Sequence, residues 1–284
     1  MSTNVAVSSK TQSAQAPSTT FAFRRLGPRG ATPLVLFNRF RGTLDTWDPG
    51  FLDLLASERD VILFDNIGIG YTPGEAGNTV DAYAAGGIEF ITALGLDQVD
   101  VLGWSLGGAV AQVVALKRPD LVRRMIVAGS GPGTIPDLPP IDPRVFEIMA
   151  NPDATIEDQN FLFYPETPEA RDRANASNAR VSTRLSTSTV SVSDEAAQRQ
   201  FEALAAFFLA GQDGVYNELG RLDKPVLYAN GSRDVMMSPY ASYAAVQRLP
   251  HATLVLYSDA GHAFLFQHPE DFAGQVHQFL GTAE

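Results

Sequence analysis

At 284 residues the chain is long enough for one large α/β domain with an insertion or for two small domains. A net charge of -11 with scattered Lys and Arg excludes the basic stripe that nucleic-acid binding requires, and the absence of cysteine excludes disulfides, thiolate metal sites and a cysteine nucleophile. No apolar run reaches membrane-spanning length, and the start of the chain lacks the basic segment, apolar core and cleavage site of an export signal, so a soluble, cytoplasmic protein without nucleic-acid or membrane partners is expected.

Residues 1–20 are rich in Ser, Thr, Ala and Gln with few large apolar side chains, which predicts a disordered tail. From Phe21 onward short apolar runs alternate with helical patterns, the signature of a mainly parallel sheet flanked by helices. The runs at 33–37 and 61–64 read as central strands buried on both faces. A helix at 79–94 stops at Gly95, and a strand at 99–102 leads into Gly103-Trp104-Ser105-Leu106-Gly107. An Ala- and Val-rich helix follows and ends before Pro119, and 122–128 is the next strand.

Between 135 and 220 the alternation breaks. Helical stretches near 143–150, 168–180 and 195–209 occur with no convincing buried strand, which predicts a helical cap inserted into the domain. Strand, helix, strand and closing helix resume at 225–229, 239–248, 252–257 and 269–280. The expected organisation is a tail (1–20), an α/β core (21–134 and 221–284) and a cap (135–220).

Gly103-Trp104-Ser105-Leu106-Gly107 matches a G-x-S-x-G elbow, directly after a buried strand and opening a helix, which makes Ser105 the candidate nucleophile. A phosphate-binding turn would need G-x-G-x-x-G or a P-loop lysine, and neither is present. A serine hydroxyl needs a base, and the base needs a carboxylate that fixes its tautomer. Of four histidines, His262 follows the last strand at the sheet edge where such folds place their sites, whereas His251, His268 and His277 sit where solvated or capping histidines are ordinary. The loop after 122–128 holds no carboxylate, and the loop after 225–229 offers Asp234. Asp259 is nearer to His262 in sequence but shares its short loop, and it stands as the rival acid.

With these motifs, Asn230-Gly231-x-x-Asp234, Ala260-Gly261-His262 and Asp65-Asn66-x-Gly68-x-Gly70, the chain resembles the α/β-hydrolase superfamily from about Phe21 to its end. The resemblance implies an oxyanion hole from the backbone amides of Leu106 and Phe40. The family usually has His-Gly before the second donor, where this sequence has Asn38-Arg39, so Arg39 stands where glycine would give the backbone freedom. Arg39 and Arg41 could receive a substrate carboxylate, although structural pairing with Asp45, Asp48 or another acid of this acidic chain is the commoner outcome for such arginines. In the cap, Phe146, Met149, Phe161, Phe163, Phe207 and Phe208 could roof a small pocket, and the Ser- and Thr-rich stretch 182–193 suits a moving lid.

The expected activity is hydrolysis of an ester or lactone of a small apolar substrate through a serine acyl-enzyme, with no metal and no cofactor required. The resemblance also spans carbon-carbon bond hydrolases and cofactor-free haloperoxidases or perhydrolases. A non-catalytic ligand-binding protein on the same fold is the alternative from another class.

Overall fold

The computed structural model describes residues 5–151, 153–209 and 214–281. The strands are β1 (Gln12–Gln15), β2 (Thr20–Leu26), β3 (Leu34–Phe37), β4 (Val61–Phe64), β5 (Val99–Trp104), β6 (Val122–Ala128), β7 (Val226–Gly231) and β8 (Ala252–Tyr257). They form one sheet in the order β1-β2-β4-β3-β5-β6-β7-β8. Only β1 and β2 run antiparallel to their neighbours. Every residue of β3 and β4 is buried, as their uninterrupted apolar runs predict for strands covered on both faces.

The helices are α1 (Val5–Ser8), α2 (Pro49–Ala56), α3 (Val80–Ala93), α4 (Leu106–Lys117), α5 (Pro143–Ala150), α6 (Ile156–Phe163), α7 (Pro168–Leu185), α8 (Asp194–Leu204), α9 (Pro239–Val246), α10 (Phe264–Gln267) and α11 (Pro269–Gly281). Side chains of a strand alternate between faces, so Val35 and Phe37 pack with Phe90 of α3 and Val110 of α4, while Leu34 and Leu36 pack with Phe51 of α2 and Phe272 of α11. Two apolar layers therefore hold the sheet from both sides. They leave the loops after the parallel strands β3, β5, β6, β7 and β8 gathered at one edge.

The expected disordered tail is corrected for residues 5–20; residues 1–4 lie outside the described residues. β1 pairs with β2 at Gln12–Phe23 through Gln15–Thr20, the Ala6 amide donates to Asp53 Oδ1 at 2.8 Å, and Ser18 bonds Glu89 through its amide and hydroxyl. Composition misleads here because the order comes from backbone pairing at the sheet edge and from two small side chains, Ala14 and Ala16, that are buried without needing bulk.

The segment between β6 and β7 contains α5 to α8 followed by a π-helical turn, Ala205–Leu209. Helix α6 goes unrecognised in the sequence pattern, although Thr155 and Asp158 form a capping box at its start. The loose connection at 182–193 is shorter than expected, with residues 186–193 running as turn and coil between α7 and α8. Its first residues complete α7, and Tyr71 Oη accepts from the Thr189 amide at 3.4 Å.

Helix α7 is clamped to the core by arginines one turn apart. Arg180 donates to Asp48 through Nε and Nη2 at 2.8 and 2.6 Å, where Ser177 Oγ also donates at 2.7 Å. Arg184 donates to Asp45 at 2.7 Å, and Asp45 also receives Arg24 at 2.6 Å and Tyr71 Oη at 2.9 Å. Asp45 and Asp48 are fully buried, so these carboxylates depend on their partners to offset lost hydration.

Candidate active site

Ser105 sits at φ 58 and ψ −121, a conformation that costs a non-glycine residue free energy and that the surrounding elbow enforces. Its amide donates to Ala128 O on β6 at 2.9 Å, and its carbonyl accepts from Gly108 at 2.9 Å. A Cβ at Gly103 would lie 2.0 Å from Gly107 O, and one at Gly107 would lie 2.0 Å from Phe37 O, so the flanking glycines are steric requirements. The nearly buried serine is thereby presented at the start of α4, and its side chain lines a cavity at the sheet edge.

His262 is fully buried on the loop after β8, and its Nδ1 lies 2.8 Å from Asp234 Oδ2. The other Asp234 oxygen accepts from the amides of Met236 and Met237 at 2.8 and 2.9 Å, which fixes the carboxylate from behind. Trp104 and Phe163 flank the imidazole at 5.8 and 5.7 Å between centroids, and Trp104 Nε1 donates to His262 O at 3.1 Å. Gly129, at φ 53, brings the end of β6 so close that a Cβ there would be 3.3 Å from Nδ1. His262 Nε2 is buried without a hydrogen-bond partner, and His262 and Ser105 line the same cavity. The nearer acid, Asp259, bonds His268 instead at 2.9 Å. Exposed His251 pairs with Asp223, and His277 Nε2 contacts Leu54 O.

Gln267, which carries no local sequence signal, organises the histidine loop. Its Oε1 accepts from the Gly261 amide at 2.9 Å, and its Nε2 donates to Asp259 O at 3.4 Å. Its position on the last turn of α10 can be found only once that short helix has folded back over the loop.

In the loop after β3, Asn38 does structural work where the family pattern has histidine. Its Oδ1 accepts from the Arg39 amide at 2.8 Å, and its Nδ2 donates to Thr43 O at 2.7 Å and Thr46 Oγ1 at 3.2 Å. The Gly42 amide closes a turn on Arg39 O at 3.1 Å. The positive φ of this turn falls at Arg41, at 54°, and not at Arg39, so the missing glycine is felt two residues later, at about 1–2 kcal/mol. The Arg41 amide donates to Gln200 Oε1 of α8 at 2.8 Å, which ties the turn to the helical insertion. Among the described residues neither the Leu106 nor the Phe40 amide donates to a backbone carbonyl.

The expected pairing of Arg39 or Arg41 with Asp45 or Asp48 does not occur, because Arg24, Arg180 and Arg184 occupy those acids. Half-buried Arg39 donates to Phe40 O at 2.7 Å and lies 5.6 and 5.1 Å from the rings of Trp104 and Phe163. Burial lowers its guanidinium to about 10, which leaves it cationic at neutral pH.

The cavity has a volume of about 160 Å³ and is walled by core loops and by the insertion. An apolar recess of about 50 Å³ adjoins it, with Ser105, Phe40, Met149 and Met236 shared between the two. Of the expected roof residues, Met149 and Phe163 line the cavity and Phe146 and Phe208 line the recess. Phe161 instead stacks under Arg144 at 3.8 Å, and Phe207 is core.

A family model of the α/β hydrolase fold matches residues 32–269. The chain is 29% identical over 268 residues to a non-heme chloroperoxidase from Streptomyces lividans, covering 89% of this chain and 92% of that protein. It is 26% identical over 238 residues to a 2-hydroxymuconate semialdehyde hydrolase from Pseudomonas sp. strain CF600, covering 81% and 79%. Among solved structures, an α/β hydrolase fold protein from Chitinophaga pinensis superposes with a TM-score of 0.89 at 34% identity, covering 98% of this chain and 99% of that one. The enol-lactonase from Burkholderia xenovorans LB400 shares the fold with a TM-score of 0.76 at 20% identity, covering 95% and 100%. Sheet order, elbow and matched span agree, and the chain belongs to the α/β-hydrolase fold family.

Proposed function

We propose that this α/β hydrolase cleaves a carboxylic ester or lactone of a small molecule through an acyl-enzyme on Ser105. The observation that carries the reading is His262, whose Nδ1 is held by Asp234 while its buried, unpartnered Nε2 shares a cavity with Ser105. Ser105 Oγ attacks the carbonyl carbon as Nε2 takes its proton, and Asp234 stabilises the imidazolium. The amides of Leu106 and Phe40 receive the oxyanion, each worth about 3–4 kcal/mol in such sites. Collapse expels the alkoxide, which takes the proton from His262; water, deprotonated by His262, then releases the acid and restores the serine.

The helical insertion serves as a cap in this reading, because Met149 and Phe163 wall the cavity from above the sheet edge. No Ser105–His262 hydrogen bond is present in this conformation, as is common before substrate tightens such a pair.

Mass spectrometry after treatment with a small fluorophosphonate, with 4-nitrophenyl acetate turnover in parallel, tests the reading. A single adduct on Ser105 and turnover lost in Ser105→Ala are expected. A protein that stays unmodified and inactive yet binds ligand equally as Ser105→Ala would be a binding protein. The likeness to a chloroperoxidase favours one second reading, perhydrolysis of the same acyl-enzyme by hydrogen peroxide to a peracid. Peroxide-dependent halogenation that needs a carboxylic acid would identify it.

A further inference from the structure

The cavity is asymmetric in charge. On one side stand Arg39 and Arg41; neither has a carboxylate partner among the described residues. On the other side the recess is walled by carbon and sulfur side chains, among them Val145, Phe146, Phe208 and Met237.

An unpaired guanidinium in a partly buried wall is costly, and this chain of net charge -11 has ample carboxylates with which to neutralise one. Nearby Asp45 and Asp48 nevertheless go to Arg24, Arg180 and Arg184, and Arg39 is left facing the cavity. Its Nη1 donates to Phe40 O at 2.7 Å. Its guanidinium lies against the same two rings that flank His262, so its position relative to the imidazole is set by shared packing.

We infer that Arg39 receives a carboxylate carried by the substrate, while an apolar group on the other side of the scissile carbonyl enters the Phe- and Met-lined recess. This rests on the ester-hydrolase reading above and narrows its substrate class to small esters or lactones that bear a carboxylate. The planar fork of Arg39 suits a bidentate carboxylate, and the surrounding rings reduce competition from water. Arg41 also lines the cavity, with a buried Nε that has no hydrogen-bond partner, but its Nη1 reaches Asn151 O at 3.5 Å at the end of α5 and its guanidinium lies 5.4 Å from the Phe40 ring, where Arg39 lies against the two rings that flank His262. It supplies a comparison of equal charge at a different place.

The test compares kcat/KM for 4-nitrophenyl hydrogen glutarate with that for neutral 4-nitrophenyl pentanoate, after subtraction of uncatalysed hydrolysis. Using the ratio cancels any general effect on the oxyanion loop. Arg39→Gln should lower the anionic-to-neutral ratio about tenfold or more, the scale of a charge-assisted hydrogen bond, and Arg39→Lys should restore part of it. Arg41→Gln should change the ratio by less than about threefold, as a cation that lines the cavity without touching the substrate carboxylate would. A ratio unchanged in Arg39→Gln, or lowered equally by Arg39→Gln and Arg41→Gln, overturns the inference. If neither ester is turned over, the ester-hydrolase reading fails separately, and calorimetry with glutarate against neutral glutaramide decides the anion site. Glutarate binding lost in Arg39→Gln supports it, and glutarate binding that is absent or unaffected overturns it.

Discussion

Asp234 and His262 meet at 2.8 Å across 28 residues of sequence, while Asp259, three residues before the same histidine, turns away to His268. The separation is physical. Asp234 is held by two amides of its own loop, whereas Asp259 lies at the exposed start of the histidine loop, where its partner stacks on Tyr257.

Asp234→Asn should therefore reduce kcat about 10⁴-fold with the fold retained, because an amide no longer holds the productive tautomer. Asp259→Asn should leave turnover nearly unchanged. Circular dichroism beside steady-state kinetics of the two variants checks both; the opposite ranking would make Asp259 the acid.

Gln267→Met should lower kcat on the order of 100-fold with little change in KM, since a loop displaced by about an ångström misplaces the base without touching substrate. The Gly261 amide loses its acceptor in this variant. A KM effect larger than the kcat effect would instead place Gln267 in substrate binding.

Asp45→Ala leaves Arg24, 2% exposed, without its carboxylate and releases Arg184 of the insertion. The expected cost is about 3–5 kcal/mol, the range for removing one member of a buried ion pair. Urea denaturation of the variant measures it, and a loss below about 1 kcal/mol would mean that the pair behaves as a surface contact.

Burial pushes the Asp65 carboxyl up to about 7, against the opposing effect of the Tyr71 and Leu44 amides that it accepts. A folded pKa above the unfolded value of about 3.9 means that this contribution to stability is complete below that value and is lost as pH rises through about 7. The wild-type melting temperature should fall between about pH 4 and 7 relative to Asp65→Asn, which has no proton to lose there. Parallel pH-melting curves of the two proteins test the sign.

The elbow at Ser105, the buried strands 33–37 and 61–64 and the placement of His262 after the last strand were legible in residues because each is a local pattern. A run of apolar side chains, a glycine on either side of a tight turn and a loop at a strand end need no knowledge of distant chain. Helix α6 was also legible in principle from its capping box, but eight residues of mixed polarity do not declare a face. What only the tertiary structure decided is which partner each polar side chain takes. Local composition could not reveal that Asp45 and Asp48 would bind α7 and leave Arg39 unpaired, that Gln267 would hold the histidine loop, or that residues 5–20 would find a sheet edge. Those choices depend on contacts between segments far apart in the chain, and folding selects among chemically equivalent carboxylates and amides by packing.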